Sequence, residues 1–239
     1  AWKEVAQGIA HEIKNPLTPI QLNTQRLKKK YYENREDFDR VFDESIHIIT
    51  QEVEGMKELL NEFLRFSRMP TPNPRPTSLH KIIDEILISY SEHDKNLKIK
   101  KSFDPNLSSI HIDPEQIRRV FINLFENATD ALDDGGSIQI STRVLQKEKL
   151  VRIEFSDNGA GISPADRDKL FLPHFTTKKR GTGLGLAIVN RIIVDHNGSI
   201  QVKDNHPKGT IFVIDLPYSP TVLEGGNPSA RKLHPITSA

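Results

Sequence analysis

Gly181-Thr182-Gly183-Leu184-Gly185-Leu186 is the stretch from which the fold can be worked out, since it leads straight into a predicted helix at residues 184–196. Glycines let backbone N–H groups converge on phosphate oxygens, and the start of the helix adds its positive dipole. The stretch is not a Rossmann fingerprint, which would follow a strand directly, and it lacks the Gly-Lys-Ser/Thr of a Walker A loop. A phosphate-binding turn and a basic surface loop both remain open for this stretch alone.

A second glycine-rich stretch, Asp157-Asn158-Gly159-Ala160-Gly161-Ile162, follows an apolar strand predicted at residues 150–156. A carboxylate at the end of a strand can accept a hydrogen bond from the amino group of a base. The glycines let the backbone approach a planar ring closely. An ordinary strand-to-loop turn would have the same sequence character, so this stretch is also ambiguous when taken alone.

Asn123 and Asn127 lie four residues apart on a predicted helix that opens at Asp113-Pro114, so their amides share one face. Amide oxygens are ligands that a hard cation such as Mg²⁺ accepts. A solvated polar face of a helix would look the same.

Taken together, in this order and at these spacings, the stretches resemble the ATP-binding domain of sensor histidine kinases. That domain belongs to the superfamily shared with gyrase, mismatch-repair ATPases and the large heat-shock chaperone. The N box is matched by residues 123–127, the first glycine box by 157–162, the F box by 171–178 and the second glycine box by 181–186. Gly209-Thr210 is a candidate for the last glycine box.

The resemblance implies Mg²⁺ on Asn127, adenine on Asp157 and an ATP lid over residues 163–180. Lys178 and nearby lid cations would stabilise the phosphate charge. The residues that the resemblance assigns to ATP binding are Asn123, Asn127, Asp130, Asp157, Gly159, Gly161, Ile162, Phe175, Thr176, Thr177, Lys178, Gly181, Thr182, Gly183, Leu184, Gly185, Leu186 and Thr210.

The first third of the chain predicts two long amphipathic helices. Apolar side chains recur at steps of three and four over residues 2–31 and again over residues 42–63, with a polar turn at residues 33–37. A single hairpin offers too little surface to bury both apolar stripes. We therefore expect a homodimer in which two hairpins form a four-helix bundle.

A segment of the first helix resembles the H box of the same kinases: Gly8-Ile9-Ala10-His11-Glu12-Ile13-Lys14-Asn15-Pro16-Leu17. Its sequence is most similar to that of the nitrogen-regulation sensor kinases. By this resemblance His11 is the phosphoacceptor, while Glu12 and Asn15 match the pattern for dephosphorylating the partner regulator. A histidine with its ordinary pKa is mostly neutral and nucleophilic at pH 7, and Glu12 can accept the proton of one ring nitrogen.

Pro16 and Pro19 each remove a backbone donor from the first helix, at about 3 kcal/mol for a proline in a helix interior. We expect a kink there that acts as a hinge for His11, although a merely tolerated bend would use the same residues.

These patterns divide the chain into four parts. We expect a dimerisation and phosphotransfer hairpin at residues 1–69, a Pro-rich linker at 70–77, a catalytic ATP-binding domain at 78–217 and a disordered tail at 218–239, for which a vector origin is one interpretation. The fold class is α followed by an α/β sandwich.

Composition excludes several kinds of function. The 239 residues carry a formal net charge of +1, which removes the bulk electrostatic argument for nucleic-acid binding. Cysteine is absent, so disulfides, thiolate metal sites and cysteine nucleophiles are excluded. The chain starts without Met, a signal peptide or a transit peptide, so we expect a fragment of a longer protein, and the resemblance implies that this fragment is the cytoplasmic portion. By resemblance, an inner-membrane anchor would lie outside it.

The leading hypothesis is an ATP-dependent kinase that phosphorylates His11, on its own or its partner's hairpin, and passes the group to an aspartate of a response regulator. The resemblance implies that the regulator docks around residues 15–27 and the second helix. A hydrolytic ATPase is one alternative, but the position of its glutamate base holds Asn123, and Glu126 points about 100° away from Asn127 around the helix. The other alternative is a catalytically silent dimeric scaffold.

Overall fold

The structure, a computed structural model of the chain, describes residues 2–33, 37–67, 69–93, 97–132, 135–173, 175–178 and 181–219. Side chains are described for these residues except 2–12, 33, 58, 62, 65–67 and 91–93. Most of the predicted polar turn and residues 220–239 of the predicted tail therefore lie outside the described residues.

Two long helices begin the chain, α1 at Trp2–Glu33 and α2 at Phe38–Ser67. Both prolines lie inside α1 without ending it. The helices pack against each other through buried Val41 and Ser45, and Arg26 of α1 pairs with Glu44 of α2 at 3.1 Å. The helical hairpin predicted from the apolar periodicity is therefore present.

An apolar groove runs along this hairpin and has a volume of about 420 Å³. Its lining consists of Ile13, Leu17, Ile20, Val53, Met56, Lys57, Leu59, Leu60 and Phe63. Leu17 is 47% exposed and Leu60 is 55% exposed. The hairpin alone thus leaves much of its apolar stripe in water.

The remaining elements form an α/β unit. The helices are α3 at Leu79–His93, α4 at Pro114–Ala131 and α5 at Gly185–Asp195. The strands are β1 at Arg75–Thr77, β2 at Lys98–Ser102, β3 at Ile110–Ile112, β4 at Ser137–Leu145, β5 at Leu150–Asp157, β6 at Ser199–Asp204 and β7 at Thr210–Pro217. A short 3₁₀ helix at Pro164–Lys169 lies inside the predicted lid.

The main sheet has the strand order β2-β4-β5-β7-β6, in which only β2 and β4 are parallel. The apolar faces of α3, α4 and α5 join the inward side chains of this sheet in one continuous core. The sandwich predicted from the sequence is therefore confirmed. Its order brings the end of β5 and the start of β7 side by side, with Ser156 opposite Ile211.

Helix α4 begins as its sequence predicts. Asp113 caps it by accepting hydrogen bonds from the backbone N–H groups of Glu115 and Gln116 at 3.0 and 3.1 Å, and Pro114 occupies the first turn. The Nε2 of His196, at the end of α5, accepts a further bond from the N–H of Asp113 at 3.0 Å. The start of α4 is thereby tied to the end of α5.

The structure corrects the predicted linker. Residues 75–77, which the sequence assigned to the linker, form β1, which pairs antiparallel with β3, and the sequence pattern predicted neither strand. Upstream of β1, Gln116 Nε2 donates to Pro70 O at 2.9 Å and the N–H of Asn73 donates to Asp113 Oδ2 at 3.0 Å. The Pro-rich segment is therefore bonded to the α/β unit through the carbonyl group of Pro70 and the N–H of Asn73.

The predicted end of the α/β unit also needs correction. Tyr218, which the sequence assigned to the tail, is 5% exposed, packs into the core and donates its N–H to Lys149 O at 2.8 Å. An aromatic ring that follows β7 directly can cover the edge of the core, so the unit extends past residue 217. In the described part of the chain no helix is long and apolar enough to cross a membrane.

Candidate functional site

A cavity of about 470 Å³ opens between α4, the end of β5, the start of α5 and the described residues between positions 170 and 183. Small-molecule sites commonly have volumes of about 300–1,000 Å³. Sixteen of the eighteen predicted ATP-binding residues line it: Asn123, Asn127, Asp130, Asp157, Gly161, Ile162, Phe175, Thr176, Thr177, Lys178, Gly181, Thr182, Gly183, Gly185, Leu186 and Thr210.

The two other predicted residues lie behind the wall of the cavity. Leu184 is fully buried in the core. Gly159 packs against the end of α4, where a Cβ would come within 2.6 Å of Ala131 O. Both therefore shape the cavity from behind.

Asp157 is the buried carboxylate of the site, with only 3% of its surface exposed. Burial raises its pKa, although hydrogen bonds from the N–H groups of Gly159 and Thr210 to Oδ1, at 2.8 and 3.2 Å, act in the opposite direction. Among the described residues, the hydrogen bonds to this side chain all end on Oδ1. Oδ2 is therefore left for a donor that enters the cavity.

Two glycines with positive φ hold the backbone around Asp157, Gly161 with φ +77° and Gly209 with φ +117°. A Cβ on Gly209 would fall inside the van der Waals shell of the carbonyl oxygen of Asp157. The same carbonyl accepts a hydrogen bond from Asn205 Nδ2 at 2.7 Å. Only glycine permits this approach of β7 to the end of β5, which fixes the carboxylate at the cavity floor.

The start of α5 faces the same cavity. Its cap residue, Leu184, makes no side-chain capping bond within the part of the chain that the structure describes. Gly185 lies so close to α4 that a Cβ there would come within 2.8 Å of Asn123 Oδ1. The first N–H groups of α5 and its positive dipole end are thus available to an anion.

Lys178 joins the lid segment to α4. Its Nζ donates to Asn127 Oδ1 at 3.0 Å and to Asp130 Oδ2 at 2.7 Å. A turn places this lysine, because Thr176 Oγ1 accepts from the N–H of Lys178 at 3.1 Å and Lys178 O accepts from the N–H of Gly181 at 3.4 Å.

The donor set at α4 fits Mg²⁺. Asn127 and Asp130 present an amide and a carboxylate oxygen one helical turn apart, and both oxygens already hold a positive charge. The described residues contain no group of three or more His, Cys, Asp or Glu side chains that could hold a metal ion by themselves. This suits an ion that takes its remaining ligands from substrate phosphates and water.

Five lining residues were not predicted: Glu126, Ala128, Ala131, Leu170 and Phe212. Ala131 follows Asn127 by four residues, and Phe212 follows Thr210 by two on the same strand, so their spacing placed them on the site's face. Glu126 also lines the cavity, although it was expected to point about 100° away from Asn127 around the helix. It lines the exposed edge of the cavity, because a wide cavity takes in more than one row of helix residues.

The hairpin residues with predicted catalytic roles are only partly described. His11 and Glu12 belong to α1 by their backbone, and their side chains lie outside the described residues. Asn15 is exposed on α1. The roles of all three stay predictions.

Comparison with known proteins gives two family matches. Residues 1–72 match the His Kinase A (phospho-acceptor) domain, and residues 112–220 match the family described as Histidine kinase-, DNA gyrase B-, and HSP90-like ATPase. Among curated relatives, the nitrogen regulation protein NtrY of Azorhizobium caulinodans is 32% identical over 211 residues, which are 85% of this chain and 27% of that protein. The chain spans between 27% and 36% of the length of the first three curated relatives.

Solved structures give the same result. The catalytic domain of histidine kinase ThkA is 31% identical with a TM-score of 0.57, and the match covers 62% of this chain and 99% of that one. Histidine kinase ThkA in complex with the response regulator protein TrrA matches 91% of this chain and 62% of that one, with a TM-score of 0.69 and 28% identity. The chain therefore belongs to the sensor histidine kinases, and its relatives include kinases of the nitrogen-regulation type.

Proposed function

We propose that this chain is the core of a two-component sensor kinase, which phosphorylates His11 from Mg-ATP and then passes the phosphoryl group to an aspartate of a response regulator. The observation that carries the proposal is the cavity that brings a buried carboxylate, a cation-binding amide and an uncapped helix start together. The H box on the hairpin supplies the acceptor. The ThkA structure, which contains a response regulator, supports a partner of this class.

Adenine binding follows from the cavity floor. Asp157 Oδ2 accepts a hydrogen bond from the exocyclic amino group of the base, while Oδ1 stays bonded to the backbone. Gly161 lets the chain pass close to the ring plane, and Ile162 and Phe212 supply apolar lining. An ionised carboxylate accepts hydrogen bonds and donates none, which favours the amino group of adenine over a base with a carbonyl at that place.

Phosphate binding follows from the other end of the cavity. The N–H groups at the start of α5 bind phosphate oxygens, and Thr176 and Thr177 offer hydroxyl groups beside them. Asn127 would hold Mg²⁺, which supplies charge neutralisation and alignment of the phosphates when bound. Lys178 adds a positive charge at the same end.

The transfer itself needs positioning and charge stabilisation more than covalent help from the protein. A ring nitrogen of His11 attacks the γ-phosphorus in line, the N–P bond forms, and the P–O bond to the β-phosphate breaks with ADP as the leaving group. Glu12 holds the proton on the other ring nitrogen. Asn15, one turn further along α1, orients a water for dephosphorylation of the regulator.

The exposed apolar groove of the hairpin supports a homodimer through α1 and α2, because a second hairpin would remove Leu17 and Leu60 from water. The use of ATP puts this part of the protein in the cytoplasm. By its likeness to the sensor kinases, we propose that an inner-membrane anchor belongs to the longer protein.

The experiment is incubation with γ-³²P-ATP and Mg²⁺, followed by mapping of the labelled residue. His11→Ala is expected to keep ATP binding and to lose all acid-labile label. The matched control is His47→Ala, because His47 is an exposed histidine on α2 that should leave the labelling unchanged. Asn15→Ala should keep the label but slow regulator dephosphorylation.

Two outcomes would contradict the proposal. Acid-labile label that persists in His11→Ala would place the phosphoacceptor elsewhere. Steady ATP hydrolysis without protein phosphorylation would favour the hydrolytic alternative, for which Asn123 is unsuited because its amide cannot take a proton from water.

A further inference from the structure

The lid lysine and the predicted metal ligand are in direct contact. Lys178 Nζ lies 3.0 Å from Asn127 Oδ1, the oxygen to which the proposed function assigns Mg²⁺, and 2.7 Å from Asp130 Oδ2. Asn127 and Asp130 are three residues apart on α4 and so share a face. The ammonium group thus occupies the position in which these two oxygens would hold a cation.

The lysine and the ion cannot both use this position. Mg²⁺ binds oxygens at about 2.0–2.1 Å. Two positive groups on one amide oxygen would stand only a few ångströms apart, where their repulsion is strong. Binding of the ion at Asn127 therefore requires the ammonium group to leave.

The local structure around Lys178 favours its contact with α4. Thr176 Oγ1 and the N–H of Gly181 close a turn on both sides of Lys178, at 3.1 and 3.4 Å. A Cβ at Gly181 would come within 2.5 Å of Thr176 Oγ1, so a larger residue there would disturb the hydroxyl that bonds the N–H of Lys178. The turn aims the lysine at α4.

We propose that Lys178 is a stand-in cation, which ties the lid to α4 through Asn127 and Asp130 until Mg²⁺-nucleotide displaces it and frees it for the γ-phosphate. This inference rests on the proposed function. Lys178 would then help to distinguish ATP from ADP, because only ATP offers the displaced ammonium group a γ-phosphate as its new partner.

Calorimetry with Mg-ADP and Mg-ATP tests the exchange in the wild type, in Lys178→Met and in the charge-matched control Lys147→Met. Lys147 is an exposed lysine in the turn between β4 and β5, outside the cavity. The Lys178–Asp130 pair is exposed at the surface, so removing the tie should tighten Mg-ADP binding only about two- to fivefold. The preference for ATP over ADP should fall by about tenfold, because the γ-phosphate loses a charged donor.

If Lys178 acted only as a positive charge near the phosphates, its removal would weaken the binding of Mg-ADP. Weaker or unchanged Mg-ADP binding in Lys178→Met, beside a control that matches the wild type, overturns the proposal. Tighter Mg-ADP binding together with the reduced ATP preference supports it.

Hydrogen exchange in the nucleotide-free protein gives a readout that does not depend on the kinase reaction. The amides of Phe175 and Gly181, which are bonded within the lid, should exchange faster in Lys178→Met than in Lys147→Met. Equal exchange rates in the two variants would contradict the proposed tie between the lid and α4. If the wild type binds no Mg-ATP, the proposed function fails, and this measurement still decides whether Lys178 restrains the lid.

Discussion

The two halves of the molecule use similar apolar side chains but bury them differently. In the α/β unit, Leu124 and Phe125 of α4 are fully buried against the sheet and its neighbouring helices. In the hairpin, Leu17 and Leu60 keep about half of their surface exposed, at 47% and 55%. The α/β unit thus closes its core by itself, whereas the hairpin needs a second apolar surface.

This difference separates two kinds of stability. A unit with its own core unfolds at a temperature that does not depend on protein concentration. A hairpin that is completed by a second copy gains stability by mass action. Matched substitutions in the two halves can therefore distinguish them.

The largest effect is expected for Gly209→Ala in the α/β unit. The backbone there has φ +117°, and the new Cβ would clash with the carbonyl oxygen of Asp157. Strain at the backbone and overpacking should together lower the free energy of unfolding by roughly 2–6 kcal/mol. Thermal unfolding followed by circular dichroism measures the loss.

The matched change in the hairpin is Gly55→Ala, which has the opposite expected sign. A Cβ at Gly55 meets nothing within 4 Å, and the residue lies inside α2. Alanine should therefore stabilise the helix by about 1 kcal/mol. Equal effects at the two glycines would contradict the different packing of the two halves.

Two leucines, one from each half, should differ in the same way. Leu124→Ala leaves a cavity in a closed core, so the free energy of unfolding should fall by about 2–5 kcal/mol at any protein concentration. Leu17→Ala removes a side chain from the open groove, so its main effect should be a dimer dissociation constant raised by about tenfold or more.

Analytical ultracentrifugation separates the two outcomes. A Leu17→Ala protein that unfolds at a lower temperature without any change in dimer dissociation would show that the groove is not the dimer surface. A Leu124→Ala protein whose unfolding temperature varies with concentration more than that of the wild type would show that the α/β core is not closed.

The smallest stability effect is expected for Asp157→Asn, which should stabilise the fold slightly while it weakens ATP binding. Burial raises the pKa of this carboxyl above the usual 3.8, so the ionised form costs stability at pH 7. The amide keeps Oδ1 for both backbone donors. The variant should melt about 2 °C higher at pH 7 and bind ATP about 10–100-fold more weakly.

The stability gained by Asp157→Asn should depend on pH. The stability that a carboxyl of raised pKa contributes is fully present below 3.8 and is lost as the pH rises through the raised value. The advantage of Asp157→Asn should therefore shrink as the pH falls toward 3.8. Asp168→Asn, at an exposed carboxyl of the 3₁₀ helix, is the control, and a gain of the same size there would contradict the argument.

Periodicity and turn chemistry made much of this fold predictable. Helices and long strands have repeating apolar faces, and Asp113-Pro114 is a strong start signal for a helix. Strands β1 and β3 have only three residues each, too few for a period to show, and β1 contains a proline. The burial of Tyr218 could not be predicted, because a single aromatic residue after a strand carries no pattern.

The site was predictable to a similar degree, for a different reason. The glycine stretches mark places where the backbone must come close to a ligand or to a neighbouring strand. This is a local property of the sequence, so the stretches identified the cavity walls. The contact from Lys178 to Asn127 joins positions 51 residues apart in the chain. Such a contact depends on how the lid folds over α4, and no local pattern encodes it.

The bonds from Pro70 and Asn73 to the start of α4 have a mechanical consequence. Helix α4 receives the chain from the hairpin at Asp113 and Gln116, and it presents Asn127 and Asp130 near its other end. At 1.5 Å per residue, these two ends are joined by a stiff rod of roughly 20 Å. We expect a movement of residues 70–73 to act directly on the start of α4 and, through this rigid helix, on Asn127 and Asp130.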